Sequence, residues 1–150
     1  MELSGSSQIN APREVVWQRL NDPVTLQQCV PGCESLTETG PDTYEAVVVA
    51  AVGPVKAKFK GKMTLADKAE NEGYTLAGEG SGGVAGFGKM TARVTLTDVE
   101  GGTQLDYKAD AQVGGKLAQV GARLVQGVAA KFAAEFFNRF NRLVSPAQEG

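Results

Sequence analysis

Histidine is absent from the 150 residues, and with it go the commonest general base, the commonest zinc ligand and every Ser-His or Cys-His nucleophile arrangement. Cysteine is nearly as scarce. Cys29 and Cys33 form an isolated C-x3-C pair, half of a tetrahedral zinc site at most, so no metal site is assigned. Their spacing alone does not decide whether they are bridged. No run of some 18 apolar residues occurs, so no membrane-spanning helix is predicted. Residues 1–8 lack the basic start and apolar run of a signal peptide, and a cytoplasmic location is the expectation. With 17 acidic and 15 basic residues the net charge is −2, which gives no electrostatic case for nucleic acid. What positive charge there is gathers at the end: residues 114–150 hold five basic and two acidic side chains.

A content of 42% apolar and 21% charged residues is that of an ordinary globular domain, and the length suits one domain over 1–150. Its organising stretch is the last. Leu117, Val120, Leu124, Val128, Phe132, Phe136 and Phe140 recur at steps of three or four, which predicts one long amphipathic helix from Gly114 to Val144. Gly121 and Gly127 fall inside it, each costing about 1 kcal/mol relative to Ala. Either something approaches them closely or space is left beside them.

The chain begins with a strand over Met1–Ile9. Asn10-Ala11-Pro12 then reads as a helix start with Asn10 as cap, and Asp22-Pro23 repeats the signal for a second short helix that ends at Pro31-Gly32. From Cys33 to Val113 all is strand and turn. Alternation runs through residues 44–52, 55–65, 90–96 and 105–113, with turns at Gly40-Pro41-Asp42, Gly53-Pro54, Asn71-Glu72-Gly73 and Glu100-Gly101-Gly102. Strands this closely spaced leave no room for crossover helices, so the sheet is antiparallel. It has one long element available to bury its inner face and must curl around it.

Two motifs resemble nucleotide sites and fail on context. Gly78–Gly88 holds six glycines in eleven residues and matches both a dinucleotide fingerprint and most of a P-loop. Both mechanisms need a helix to follow, and Lys89–Leu96 alternates as a strand. The segment is read as a flexible connection, with Gly82, Gly83, Gly86, Phe87 and Gly88 as a gate over a cavity. Lys56, Lys58, Lys60 and Lys62 share one face of a strand, either simply solvated or a docking stripe for anionic head groups or an acidic partner. Asp106 and Asp110 point outward by pattern, leaving Tyr107, Tyr74 and Arg123 as inward polar groups and no acid–base pair.

The inferred inner face carries Ala50, Gly61, Ala92, Ala109 and Ala111, where a closed core would carry Leu, Ile or Phe. Small residues on the sheet and glycines on the helix predict an apolar cavity lined by Met63, Leu76, Met90, Leu105, Tyr107, Gly121, Leu124, Gly127 and Val128.

The order of elements resembles the helix-grip fold of the START and Bet v 1 superfamily: an α+β domain in which a curved antiparallel sheet of about six to seven strands wraps a long C-terminal helix, with two short helices after strand one. Pro31-Gly32-Cys33-Glu34-Ser35-Leu36, Gly53-Pro54-Val55 with Phe59-x-Gly61, the loop Gly82–Gly88, and Val120–Leu124 with Phe136-Phe137 are similar to the CoxG family of carbon monoxide dehydrogenase subunits. That resemblance implies a non-enzymatic accessory protein, working with molybdenum hydroxylase subunits in membrane recruitment or electron transfer to quinone. Peripheral contact with the inner face of the membrane and a bound quinone or lipid follow as expectations. Two other readings stand beside it: a helix-grip cyclase or hydrolase using Tyr107 or a cavity carboxylate, and a purely structural partner with a filled core.

Overall fold

Seven antiparallel strands form one sheet in the computed structural model, which describes residues 1–146. The chain runs β1 (Glu2–Ile9), α1 (Arg13–Leu20), α2 (Pro23–Cys29), β2 (Cys33–Gly40), β3 (Thr43–Val52), β4 (Val55–Ala69), β5 (Gly73–Ser81), β6 (Phe87–Val99), β7 (Gly102–Gly114), α3 (Lys116–Gln119) and α4 (Ala122–Val144). Across the sheet the order is β1-β7-β6-β5-β4-β3-β2. Consecutive strands from β2 to β7 are therefore neighbours, and α1 and α2 carry the chain from one edge to the other.

The second helix start is built as its sequence dictates. The Asp22 carboxylate accepts from the Val24 amide at 3.3 Å and Pro23 occupies the first turn. The first start differs from expectation, because Pro12 rather than Asn10 holds the cap position and no side chain caps it. Asn10 serves another contact: its backbone N–H donates to Asn141 Oδ1 at 2.9 Å, tying the β1–α1 corner to the end of α4. Thr103 reinforces that corner from β7, its buried hydroxyl donating to the Ala11 carbonyl at 2.7 Å.

The predicted single helix from Gly114 to Val144 is broken. Strand β7 continues to Gly114, α3 is a single turn, and α4 begins only at Ala122. Gly115 at φ +69° and Gly121 at φ +96° adopt backbone angles that no right-handed helix contains. Gly121 is thus the N-cap of α4, following Val120, which closes α3, and of the two glycines Gly127 alone lies within a helix.

The packed core occupies one end of the molecule. Ile9, Val16, Trp17, Leu20, Tyr44, Leu65, Tyr74, Leu96 and Leu105 surround the C-terminal half of α4, where Phe140 is fully buried. Aromatic contacts knit this end together: Phe136 stacks on Phe140 at 6.0 Å and Trp17 meets Tyr74 edge-on at 5.8 Å. Burial pushes the Tyr74 phenol well above its ordinary value, with nearby Tyr44 adding to the effect. Tyr44 is raised too, by burial first and then by Glu38, Asp42 and Asp22.

Two outcomes follow from these placements. Gly121→Ala destabilises by about 1–3 kcal/mol through its backbone angle alone, since nothing lies within 4 Å of the added methyl. Gly127→Ala stabilises by about 0.5–1 kcal/mol for want of any such penalty; urea midpoints that shift in the same direction contradict this assignment. The raised phenols also give a pH signature: stability holds below the ordinary phenol value of 10.0 and falls above it, because the unfolded chain releases protons that the folded chain retains. Tyr74→Phe, compared by denaturant titration from pH 8 to 11, shows a shallower fall; an unchanged slope contradicts the assignment.

Candidate functional site

Away from the packed end, α4 and the sheet part company. The close backbone neighbours of α4 are the helices α2 and α1, the edge strand β1, and β3, which lies next to the opposite edge, rather than the strands in the middle of the sheet. Beneath it the inward positions are small in whole rows. Ala46 pairs with Gly61, Gly61 with Gly80, and Gly80 with Gly88; one row over, Met63, Gly78, Met90 and Ala111 pair in turn. Glycines in register let the sheet bend and offer no side chain to fill the space the bend creates. Ala46, Val48, Phe59, Met63, Leu76, Ala109, Ala111 and Val113 stay only half-buried, although all point inward by strand alternation.

The helix roof over this hollow is also small. At about 100° per residue, the face of α4 that carries Phe140 and Phe136 at the packed end presents Ala133, Ala129 and Val125 toward its N-terminus. These three are half-buried as well. Small, half-buried apolar residues of the sheet thus face small, half-buried residues of the N-terminal half of α4, the arrangement expected to border an open, apolar hollow.

The structure divides the residues expected at the cavity among several places. Met63, Leu76, Met90 and Tyr107 lie on the inner face of the sheet, Met63, Leu76 and Tyr107 against the core and Met90 open to solvent. Leu105, 1% exposed, belongs to the packed end. Gly121, Leu124, Gly127 and Val128 gather in a separate open groove of about 470 Å³ with Val120, Arg123 and Lys131, to which no strand contributes. The cause is geometric. An apolar series stepping by four advances about 40° per step, so the stripe that starts inward at Phe140 has turned by about 160° at Leu124. The signal that finds Val125, Ala129 and Ala133 is this accumulated angle, which a list of three- and four-residue steps conceals.

The glycine-rich segment is more ordered than a flexible connection. Gly78 and Gly80 belong to β5, and Phe87 and Gly88 to β6. Only residues 82–86 form a loop, closed by the Gly82 N–H donating to the Gly86 carbonyl at 2.9 Å around a single 3-10 turn, Gly83–Ala85. Ala85 is buried there. Gly82 lies against the Phe59 ring and Gly114 beneath the Phe87 ring, so close that neither position has room for a Cβ. The loop therefore sits at the rim of the hollow as a packed wall, with Val84 and Phe87 exposed on its outside. The tip of the β3–β4 hairpin, Gly53, meets Leu124 at the same end.

Lys56, Lys58, Lys60 and Lys62 all stand exposed on the outer face. Lys58 pairs with Glu34 at 3.0 Å, and Lys62 borders a polar depression of about 550 Å³ with Glu79, Lys89, Asp110 and Gln112.

The polar groups near the inner face are largely engaged with neighbouring residues. Tyr107 stacks on Phe137 at 5.7 Å, its ring over Gly5. Asp106 accepts from Ser6 at 2.6 Å, and Asp110 accepts from the chain's amino terminus at 3.3 Å. Tyr74 is walled into the core and Arg123 lies in the outer groove. Among the described residues, Thr25 and Thr103 are the buried polar side chains, and each is hydrogen-bonded, Thr25 to the Asp22 carboxylate and Thr103 to the Ala11 carbonyl. Cys29 and Cys33 are free thiols. Burial pushes both up, against the lowering effect of Arg139 and Arg19 on Cys29 and of the Ser35 backbone on Cys33, which disfavours the thiolate needed of a nucleophile. No helix among the described residues is long and apolar enough to cross a membrane.

Comparison with known proteins agrees with this architecture. A conserved protein from Geobacillus kaustophilus is 33% identical, with 96% of this chain and 95% of that chain covered and a TM-score of 0.90. An aromatase/cyclase from Streptomyces sp. R1128, ZhuI, is 14% identical over 96% of this chain and 93% of its own at a TM-score of 0.69, and Ara h 8.0201 is 14% identical over 96% and 97% at 0.66. These last two share the helix-grip fold. No curated protein matches the chain. The model of one family, the CoxG subunits of carbon monoxide dehydrogenase, matches residues 5–145, nearly the whole of the described chain, and the protein belongs to that family.

Proposed function

We propose that this protein is a non-enzymatic accessory protein that holds an apolar or amphipathic small molecule, a quinone or a lipid, in the hollow between the sheet and α4, and serves a molybdenum hydroxylase of the carbon monoxide dehydrogenase type. The observation that carries the reading is the half-buried state of the apolar inner face beneath a helix long enough to cover it. Apolar surface left in contact with water gains about 25 cal/mol per Å² when it is covered, so an apolar occupant is favoured over solvent there. Met63 and Met90 provide walls that adapt to the shape of a guest, and Tyr107 provides one hydroxyl at the inner face. The family supports an accessory role through its name; the hydroxylase partnership and the delivery of electrons or enzyme to a membrane are the finer part of the proposal. For a cyclase or hydrolase, the hollow would need a second titratable group within reach of Tyr107, and Asp106 and Asp110 are engaged elsewhere.

Trp17 is the single tryptophan and reports on ligand entry. Titration with a short-chain ubiquinone quenches its emission saturably. Ala129→Phe, which places a ring in the hollow, weakens that binding by about tenfold or more and leaves the urea midpoint unchanged or raised. Equal affinity in wild type and variant, or no saturable quenching by the quinone together with no binding of a fatty acid by calorimetry, overturns the proposal.

A further inference from the structure

The groove on α3 and α4 has no role in the hollow, and its composition is unlike that of a solvated helix face. Val120, Leu124 and Val128 form its apolar walls, and the Cβ positions of Gly121 and Gly127 meet nothing within 4 Å. An incoming side chain can therefore reach the helix backbone itself. Leu124 is 40% exposed, and Phe132, one turn beyond Val128, is 37% exposed, so the apolar surface continues along the helix. Its charges have one sign. Arg123 and Lys131 border the groove, both are exposed, and no carboxylate among the described residues lines it. The acid on α4, Glu135, is taken by Arg139 at 2.8 Å.

We propose that this groove docks a protein segment that inserts an apolar side chain over Gly127, between Leu124 and Val128, and sets carboxylates against Arg123 and Lys131. Charge complementarity selects this occupant. A second copy related by a two-fold axis at the groove would bring Arg123 and Lys131 against the same cations, which is repulsive. A bilayer surface presents no projecting side chain to a groove floored by glycine, whereas a helix with one protruding Leu or Phe fits such a floor. The inference does not rest on what the hollow holds, because every residue lining the groove belongs to α4 or to the junction before it.

The test is an amide chemical-shift titration of the isotope-labelled full chain with three probes. These are a helical peptide bearing Leu flanked by Glu, the same peptide with Lys in place of Glu, and phosphatidylglycerol vesicles. The Glu peptide shifts residues 120–131 while Met63, Leu76 and Ala111 stay in place, and the affinity falls with salt. Arg123→Glu with Lys131→Glu, both exposed positions, weakens binding by about tenfold or more, with unchanged circular dichroism and unchanged quinone quenching of Trp17. Equal binding of the Lys peptide, response to the vesicles alone, or concentration-dependent shifts at 120–131 without any probe each overturns the proposal; the last would indicate self-association.

Discussion

The anchoring of α4 at one end is the constraint on which the rest of the structure depends. Phe140 is fully buried, Phe136 and Phe137 pack beside it, and Asn141 holds the β1–α1 corner. These contacts fix the direction of a helix of 23 residues, roughly 34 Å at 1.5 Å per residue. A straight rod of that length fixed at one end cannot follow a sheet that curves away from it. Gly61, Gly80 and Gly88 stand in register across the central strands, and glycine at these positions permits a bend there. The space is thus a consequence of one rigid element and one flexible one.

Much of this was legible in the sequence. Strand alternation is readable because only one face of each strand meets the core, so Val94, Leu96 and Leu105 announce their side. The turns are readable because Asp42, Gly53, Asn71 and Gly101 take positive φ angles there, which few residues tolerate. The resemblance carried by the Pro31–Leu36 stretch and the Val120–Leu124 segment identified the family. The failures have physical causes too. A glycine is compatible with both a helix interior and a helix break, so Gly121 could not be assigned without its backbone angle. The capping preference of Asn10 yielded to Pro12, and Asn10 was used in a tertiary bond. The glycine cluster at 78–88 reads as a loop because glycine is a poor strand former, yet pairing on both sides of β5 outweighs that preference.

On the sheet side the candidate positions were legible, since Met63, Leu76, Met90 and Tyr107 lie on the one face where alternation puts them. Those on the helix side were not. Steps of four drift around a helix, and they carry Leu124 and Val128 into the outer groove while Val125, Ala129 and Ala133 take the inner face. One helix therefore presents two apolar surfaces: one toward the hollow and one toward solvent. We assign the first to a small molecule and the second to a protein partner.

The most direct test of the hollow is native mass spectrometry of the protein purified from its own host, followed by organic extraction. A single apolar molecule, a quinone or lipid, bound at one per chain and released by the solvent is the predicted result. A protein of bare chain mass whose extract contains no such molecule, and which takes up neither added quinone nor added lipid, would contradict the account.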